Sequence, residues 1–440
     1  MTLLAALGVY GPGTGSAAAA GCENSWASSA GGSWFDAAGW SRDKVPEPGE
    51  GVCIEAPGTY TVSVPAATAS IGSLTLDSAS GTATLALAGD CAGSAVLSTA
   101  SGLLVGPGGS VRMGGDGCSE DAAIEGPVLN VGRIVTLTGG GGERRLRGDV
   151  TNDGTVAIDA DTELGEVGTT FENAGRLELR QMLHVSEHTD VRNESGAIVA
   201  AGAGELLQSG GKFFEGAGAI SGLQPVVLDG SDLIYVGDGQ GGIVVRGDSA
   251  ISATPHRGRF IFPGRSQTLQ LQGTCSEPAS ITAPPFTNRG TIALEAGCSA
   301  VTLGLGGGTI ENRGTIDAAG AGPLSLEGRL ANASTVAVAA GATLDVASGF
   351  AQSARGLYAT TVDGPASYGA LATPGEADLD GVLSVSTAPG ASLQDGQRLR
   401  VLRSGTLDGT FRRVGHARLR AGLLYEPLYT AEGVALQLGG

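Results

Sequence analysis

Apolar and polar residues alternate in short runs along most of the chain. Thr155-Val156-Ala157-Ile158 and Arg176-Leu177-Glu178-Leu179 are two of these runs. A period of two is the pattern of a β-strand with one buried face. The chain also has 76 glycines among its 440 residues, and glycine disfavours helices because it costs about 1 kcal/mol at each helical position. The pattern therefore predicts many short strands joined by tight turns.

One phrase recurs through the chain. A full copy has the form apolar-x-Asn-x-Gly-x-apolar-x-apolar, as in 150–158. Asn and Gly tolerate positive φ, so the centre of each phrase predicts a turn. The asparagines are spaced by 22, 21, 20, 95, 24 and 20 residues, and the long gap fits four or five further units in which the asparagine is replaced. The seven copies contain Asn130, Asn152, Asn173, Asn193, Asn288, Asn312 and Asn332.

A period of 20 to 24 residues is typical of a solenoid. A leucine-rich repeat needs more leucine, and a helical repeat needs helix formers where this chain has glycine. We therefore predict an all-β fold, a right-handed parallel β-helix whose coils stack about 4.8 Å apart. Asparagines at equivalent turns would lie above one another and could hydrogen-bond through their amides. They could also simply fill the turns, and the two roles do not exclude each other. The predicted rod spans 60–350, between an N-terminal Trp-rich cap at 21–59 and a C-terminal capping β module at 351–440.

The amino terminus and the cysteines indicate export. Residues 1–20 contain a short apolar run followed by small residues, which is typical of a signal peptide. No later stretch is long and apolar enough to predict a transmembrane helix. An even number of cysteines in an exported chain predicts disulfides. We expect a secreted or cell-surface protein with the sequential pairs Cys22–Cys53, Cys91–Cys118 and Cys275–Cys298; for Cys22, a lipid anchor is the alternative.

All three tryptophans lie close together in the predicted N-terminal cap, at Trp26, Trp34 and Trp40. They could form a platform on which carbohydrate stacks. The alternative, which we favour, is a plug over the open first coil, because a tryptophan buries a large apolar area.

The two ends of the chain carry further motifs. The first end continues from the tryptophans through Val45-Pro46 and Thr59-Tyr60-Thr61-Val62 to Leu74-Thr75-Leu76, and the last contains 377–385, Gly409-Thr410-Phe411 and Tyr425-Glu426-Pro427-Leu428-Tyr429. Together with the internal phrase at 288–292, these motifs resemble secreted bacterial β-helix proteins related to autotransporter passengers and filamentous haemagglutinin-like adhesins. The resemblance implies the fold and export. It names no ligand. The chain departs from autotransporters at Leu438-Gly439-Gly440, where no membrane barrel and no wall-sorting motif is present, so we expect a freely secreted or non-covalently held member.

Enzymatic chemistry has few candidate residues. Four acids near one strand end could share a face and bind calcium, or simply be solvated: Asp159, Asp161, Glu163 and Glu166. A second acidic pair, Asp378 and Asp380, only partly matches a calcium-binding loop. On a strand, His184 and His188 would lie about 13 Å apart, too far to share a zinc ion. We expect no cofactor and no catalytic site. A polysaccharide lyase or glycoside hydrolase on the same scaffold is the alternative.

The net charge is −18, with 44 acidic residues, and only Lys44 and Lys212 are lysines. This balance argues against general nucleic-acid binding. Arginines nevertheless concentrate near the C-terminus, where they either form a solvated face or bind an anionic polymer such as a surface polysaccharide. The cluster comprises Arg398, Arg400, Arg403, Arg412, Arg413, Arg418 and Arg420.

Two Arg-Gly-Asp triplets, at 147–149 and 246–248, match an integrin ligand of animal matrix proteins, but the first precedes a repeat phrase and fits a turn. We expect a non-catalytic binding, adhesion or structural element.

Overall fold

The computed structural model describes residues 21–89, 93–114, 121–139, 142–223, 225–237, 239–253, 260–416 and 424–439. These residues form a parallel β-helix of about 14 turns, as the sequence predicts. The described helical element is one turn of 3-10 helix, Ala37–Gly39, so the described part of the chain has no helix that could cross a bilayer.

The strands follow one another with short turns between them. In the N-terminal third they are β1 Asn24–Ser25, β2 Gly32–Ser33, β3 Gly51–Ile54, β4 Tyr60–Val64, β5 Thr68–Leu76, β6 Ala83–Leu87, β7 Ala95–Val105, β8 Gly109–Met113, β9 Ala122–Glu125, β10 Val128–Asn130, β11 Arg133–Thr136, β12 Arg144–Arg147, β13 Val150–Asn152, β14 Thr155–Ile158 and β15 Thr162–Leu164. In the middle third they are β16 Thr170–Asn173, β17 Arg176–Leu179, β18 Met182–Val185, β19 Asp190–Asn193, β20 Ala197–Ala200, β21 Glu205–Ser209, β22 Lys212–Glu215, β23 Ala219–Ser221, β24 Val226–Asp229, β25 Asp232–Tyr235, β26 Gly241–Ala253, β27 Gln267–Gly273, β28 Ala279–Thr282, β29 Phe286–Asn288 and β30 Thr291–Ala296. In the C-terminal third they are β31 Val301–Asn312, β32 Thr315–Gly320, β33 Leu324–Asn332, β34 Thr335–Val338, β35 Thr343–Val346, β36 Gly349–Gln352, β37 Leu357–Gly364, β38 Ser367–Tyr368, β39 Ala370–Ala372, β40 Glu376–Leu379, β41 Val382–Thr387, β42 Arg398–Arg403, β43 Thr406–Gly409, β44 Arg413–His416, β45 Leu424–Thr430 and β46 Gly433–Gly439.

Each coil has three faces. Face 1 contains the strands that lead into the asparagine turn, such as β13, β16 and β19, which pair in parallel. Face 2 contains the strands that leave it, such as β14, β17 and β20. Face 3 contains the third strand of each coil, such as β12, β15 and β18.

The core runs down the inside of the three faces. On face 2, Val156, Leu177 and Ile198 stack on successive coils and are fully buried, whereas Arg176 and Ala197, which precede two of them, are more exposed. The alternation read from the sequence therefore fills one continuous apolar interior, because successive strand residues point to opposite sides.

Parallel pairing extends on both sides of the predicted rod. It begins where Asn24 pairs with Val52 and continues to His416, which pairs with Val385. The last strands change direction, since β46 pairs antiparallel with both β42 and β45. The division into caps and rod at positions 60 and 350 stays a prediction.

Candidate functional site

The repeated asparagines line the inner corner between faces 1 and 2. All seven are at most 1% exposed, and each lies at the end of its strand. Within each of two runs, the Nδ2 of one asparagine donates to the Oδ1 of the next at 2.7 to 2.9 Å. The first run comprises Asn130, Asn152, Asn173 and Asn193, and the second comprises Asn288, Asn312 and Asn332. We call these runs the first and second amide ladders.

In every ladder asparagine except Asn193, the amide nitrogen also donates to the main chain of the next coil. Asn152, for example, also donates to the carbonyl of Arg176, at 3.2 Å. Glycines make room for the side chains, because a Cβ added at Gly196 would lie 2.4 Å from Nδ2 of Asn173. In the Asn-x-Gly copies the glycine instead leaves room for the main chain of the preceding coil, because a Cβ added at Gly154 would lie 2.3 Å from the carbonyl oxygen of Gly132.

Two residues that the asparagine repeat does not predict take the corner position after each ladder. Gln352 accepts from Asn332 at 3.0 Å and ends the second ladder. Glu215 pairs in register with Asn193 and so follows the first ladder. Each lies one repeat after the preceding asparagine, 20 residues for Gln352 and 22 for Glu215, and that spacing was the available signal.

After Glu215, aromatic residues take the place of amides at this corner. Tyr235 takes the next position, and its ring stacks on Phe262, which in turn stacks on Phe286 with centroids 4.1 Å apart. The long gap between asparagines is therefore occupied in part by an acid and by aromatic rings. Burial raises the pKa of Glu215 to about 8, although the amides of Asn193 and Gln267 act in the opposite direction.

The described cysteines are bonded as predicted. Cys22 is joined to Cys53 with Cα atoms 5.4 Å apart, and Cys275 to Cys298 with Cα atoms 4.4 Å apart. Cys91 and Cys118 lie outside the described residues. Two disulfides fit an oxidising, non-cytoplasmic environment.

The tryptophans are packed inside the first coil. Trp26, Trp34 and Trp40 are at most 3% exposed and meet edge to face. The indole N–H of Trp40 donates to the carbonyl of Trp34 at 2.7 Å. This burial favours the plug over the platform, because a stacking platform for sugars needs an exposed ring.

The acids proposed for calcium have different partners on neighbouring coils. Asp159 pairs with Arg180, Glu163 pairs with Arg145, and Asp161 accepts from the main-chain N–H of Met182. Glu166 joins a turn through its main-chain groups, which bond Thr169. Asp159, Asp161 and Glu163 therefore bridge neighbouring coils, whereas Glu166 takes part in a turn.

The other predicted polar candidates are also dispersed. His184 points outward from face 3, whereas His188 holds a turn with a φ of 62°. Asp380 pairs with Arg412, and Asp378 lies beside Asp408 of the next coil.

Both Arg-Gly-Asp triplets are built into the coil stack. Asp149 accepts from the N–H of Thr170, and Asp248 accepts from the hydroxyl of Ser280. Arg246 donates to Gln272. Each triplet therefore joins neighbouring coils.

The predicted arginine cluster is spread over two strands. Arg398, Arg400 and Arg403 are exposed on β42, which belongs to face 3 through its pairing with β39. Arg413 begins β44 on face 2, with Arg412 just before it. Arg418 and Arg420 lie outside the described residues.

A shallow groove crosses face 1 near the C-terminal end. Ala331 and Ala351 form its floor, with Glu311 above and Asp378 below. These four residues follow one another in register, so the two acids are three coils apart, or about 14 Å between Cα atoms.

The sequence was compared with protein-family models and with curated proteins, and neither comparison found a match.

Proposed function

We propose that the protein acts outside the cytoplasm as a non-catalytic β-solenoid, which binds an anionic polymer at a cell surface or in a matrix through its C-terminal end. The observation that carries this proposal is the exposed arginine strand, defined as Arg398, Arg400 and Arg403 of β42. In the described part of the chain none of the three makes an ion pair, whereas nearby Arg412 is held by Asp380.

The residues opposite Arg398 and Arg403 on the neighbouring strands carry no compensating charge. Arg398 lies opposite Gln437, and Arg403 lies opposite Gly433 on one side and Ala372 on the other. These neighbours are neutral. Arg398 and Arg400 are two residues apart on one side of a strand, about 7 Å. That spacing offers planar guanidinium groups in a row, which suits carboxylate, sulfate or phosphate groups along a chain.

The rest of the molecule supports a role as a rigid carrier. Amide ladders, disulfides and ion pairs join successive coils, and the outward acids bridge coils as well. Of the two acids in the groove, Glu311 is already engaged, since it pairs with Arg313 and accepts from the hydroxyl of Thr287. This groove therefore gives little support to a hydrolase.

Export through residues 1–20, and kinship with autotransporter passengers and haemagglutinin-like adhesins, belong to the same proposal. They rest on the sequence motifs, and the disulfides agree with export.

Retention on an immobilised polyanion tests the docking proposal. We expect the protein to bind heparin resin at low salt. Binding should weaken steeply as salt is added, because salt screens the charges and reduces the free energy gained when the polyanion releases its counterions. Arg398→Ser/Arg400→Ser/Arg403→Ser should abolish retention. The matched control, Arg176→Ser/Arg180→Ser/Arg192→Ser, removes the same charge from arginines that pair with acids on the rod and should retain binding.

Equal loss of heparin retention in both triple variants would show that only net charge matters. Unchanged retention in the variant that lacks Arg398, Arg400 and Arg403 would overturn the docking site. Circular dichroism verifies that both variants keep the β fold. Incubation of the protein with a panel of acidic polysaccharides, with and without calcium, tests the non-catalytic part, and cleavage of any of them would refute it.

A further inference from the structure

Glu215 is a carboxylic acid placed inside the fold, at a position where other coils carry an amide. It is 1% exposed and lies at the end of β22, in register with Asn193 before it and Tyr235 after it. A Cβ added at Gly239 would lie 2.2 Å from its Oε1, so that glycine makes room for the carboxyl just as Gly218 makes room for Asn193. The corner is built around this side chain.

The polar atoms around Glu215 are incompletely bonded. Its Oε2, Nδ2 of Asn193, Nε2 of Gln267 and the hydroxyl of Tyr235 are all buried without a hydrogen bond of normal geometry. The amides of Asn193 and Gln267 face the carboxyl and favour its ionised form, but not enough to offset the loss of water. An ion at this position would therefore be poorly compensated.

The electrostatic surroundings contain no described cation that pairs with Glu215. The titratable group facing it from the next coil is Tyr235, whose pKa is raised by burial and by Glu215 itself. Glu194, next to Asn193, points outward to Arg192. Asp238, which precedes Gly239, lies outside the described residues.

Burial raises the pKa of Glu215 to about 8, from 4.5 for a free glutamate. The folded coil therefore keeps the proton at a pH where an opened coil would release it. Below pH 4.5 Glu215 is protonated in both the folded and the opened coil, and the folded coil then has its full stability. This stability is lost progressively between pH 4.5 and about 8, and it stays lost above that.

We infer that the coils around Glu215 form a protonation-dependent joint in the rod, closed while the carboxyl carries its proton and opening locally as the proton leaves. The arrangement of the corner makes the opening local. The first amide ladder stops at Asn193 and the second begins at Asn288, so no continuous ladder of amides crosses the described residues between them. The chain beside the carboxyl is rich in glycine, with Gly216, Gly218, Gly237 and Gly239.

Hydrogen exchange measured by mass spectrometry between pH 5 and 9 tests the joint. After correction for intrinsic exchange, protection of the amides in 212–235 should fall about tenfold for each pH unit between 5 and 8 and then level off. Protection in the second ladder, at 310–338, should stay constant. Glu215→Gln should abolish the pH dependence, and the exposed control Glu187→Gln should behave as the native protein does.

A pH-independent native profile, or a Glu215→Gln profile identical to the native one, would overturn the inference. If Glu215→Gln fails to fold, infrared difference spectra of the native protein decide the question. A buried carboxylic acid band that disappears near pH 8 supports the joint, and the absence of such a band overturns it.

Discussion

Asn332 donates from Nδ2 to Oε1 of Gln352 at 3.0 Å, and this bond ends the second amide ladder. Gln352 then donates to the carbonyls of Asp380 and Val382 on the following coil, at 2.9 and 3.1 Å. Ala351 lies opposite Asp378, so the same register continued by one residue brings Gln352 to Leu379, which offers no side-chain acceptor. The extra methylene of glutamine lets the amide reach the main chain instead, so the ladder ends without an unsatisfied donor.

Shortening that side chain should therefore be costly. In Gln352→Asn the amide can no longer bond both Asn332 and the two carbonyls, and a buried polar group left without a partner costs about 1–3 kcal/mol. We expect a loss of that size in the free energy of unfolding, measured in urea. Ser353→Ala, at the neighbouring exposed position, should have little effect.

Replacing an asparagine inside the first ladder should lower the free energy of unfolding more than replacing the asparagine that starts it. Asn152→Ala removes the acceptor of Asn130 and the donor to Asn173, so two buried groups lose a partner and about 2–4 kcal/mol should be lost. Asn130→Ala should cost about half as much, because Oδ1 of Asn130 already lacks a partner. Asp153→Ala is the exposed control. Equal losses in the two asparagine variants would contradict a directional ladder.

The sequence predicts the repeat because its signal is periodic. The asparagine spacing and the two-residue alternation together specify the stacked coils and the corner that carries the amides. Glu215, Tyr235 and Gln352 are not predicted, because the corner needs only a side chain of suitable length, and several residue types meet that need.

The arginine cluster shows a second limit of the sequence. Arg398 and Arg413 are close in the chain, but β42 and β44 lie on different faces of a three-faced coil. Neighbours across the stack are instead about one coil apart in sequence, as are Asp159 and Arg180. A density of charge along the chain therefore does not predict a single charged surface.

The Cys275–Cys298 bond should stabilise the fold by restricting the unfolded chain. Its ends are 23 residues apart, a loop for which the chain-entropy estimate is about 3 kcal/mol. We expect Cys275→Ala/Cys298→Ala to lower the denaturation midpoint accordingly. A reducing agent tests the same bond when the other disulfides have been removed by substitution from both proteins. It should bring the denaturation midpoint of the protein that retains Cys275 and Cys298 close to that of the double variant. An unchanged midpoint would indicate that the unfolded chain gains little freedom from losing the bond.

The tryptophan plug predicts that stability and sugar binding respond independently at the N-terminal end. Trp40 is 1% exposed and meets both other rings, and its indole N–H is bonded to Trp34. Trp40→Ala would leave a large cavity over the first coil, and truncations of this kind cost about 3–5 kcal/mol. Trp40→Phe keeps most of the apolar contact and loses the hydrogen bond, so its loss should be smaller.

Neither variant should change retention on carbohydrate resins at a temperature where the protein is folded, because no face of these rings is available to a sugar. Phe35, which is 39% exposed and lies beside the plug, is the exposed control for the buried tryptophans. Phe35→Ala removes an accessible ring of the same end and should leave the denaturation midpoint almost unchanged. A fully folded Trp40→Phe variant that loses carbohydrate retention would favour the platform, whereas a lowered midpoint with unchanged retention is the result that a plug requires.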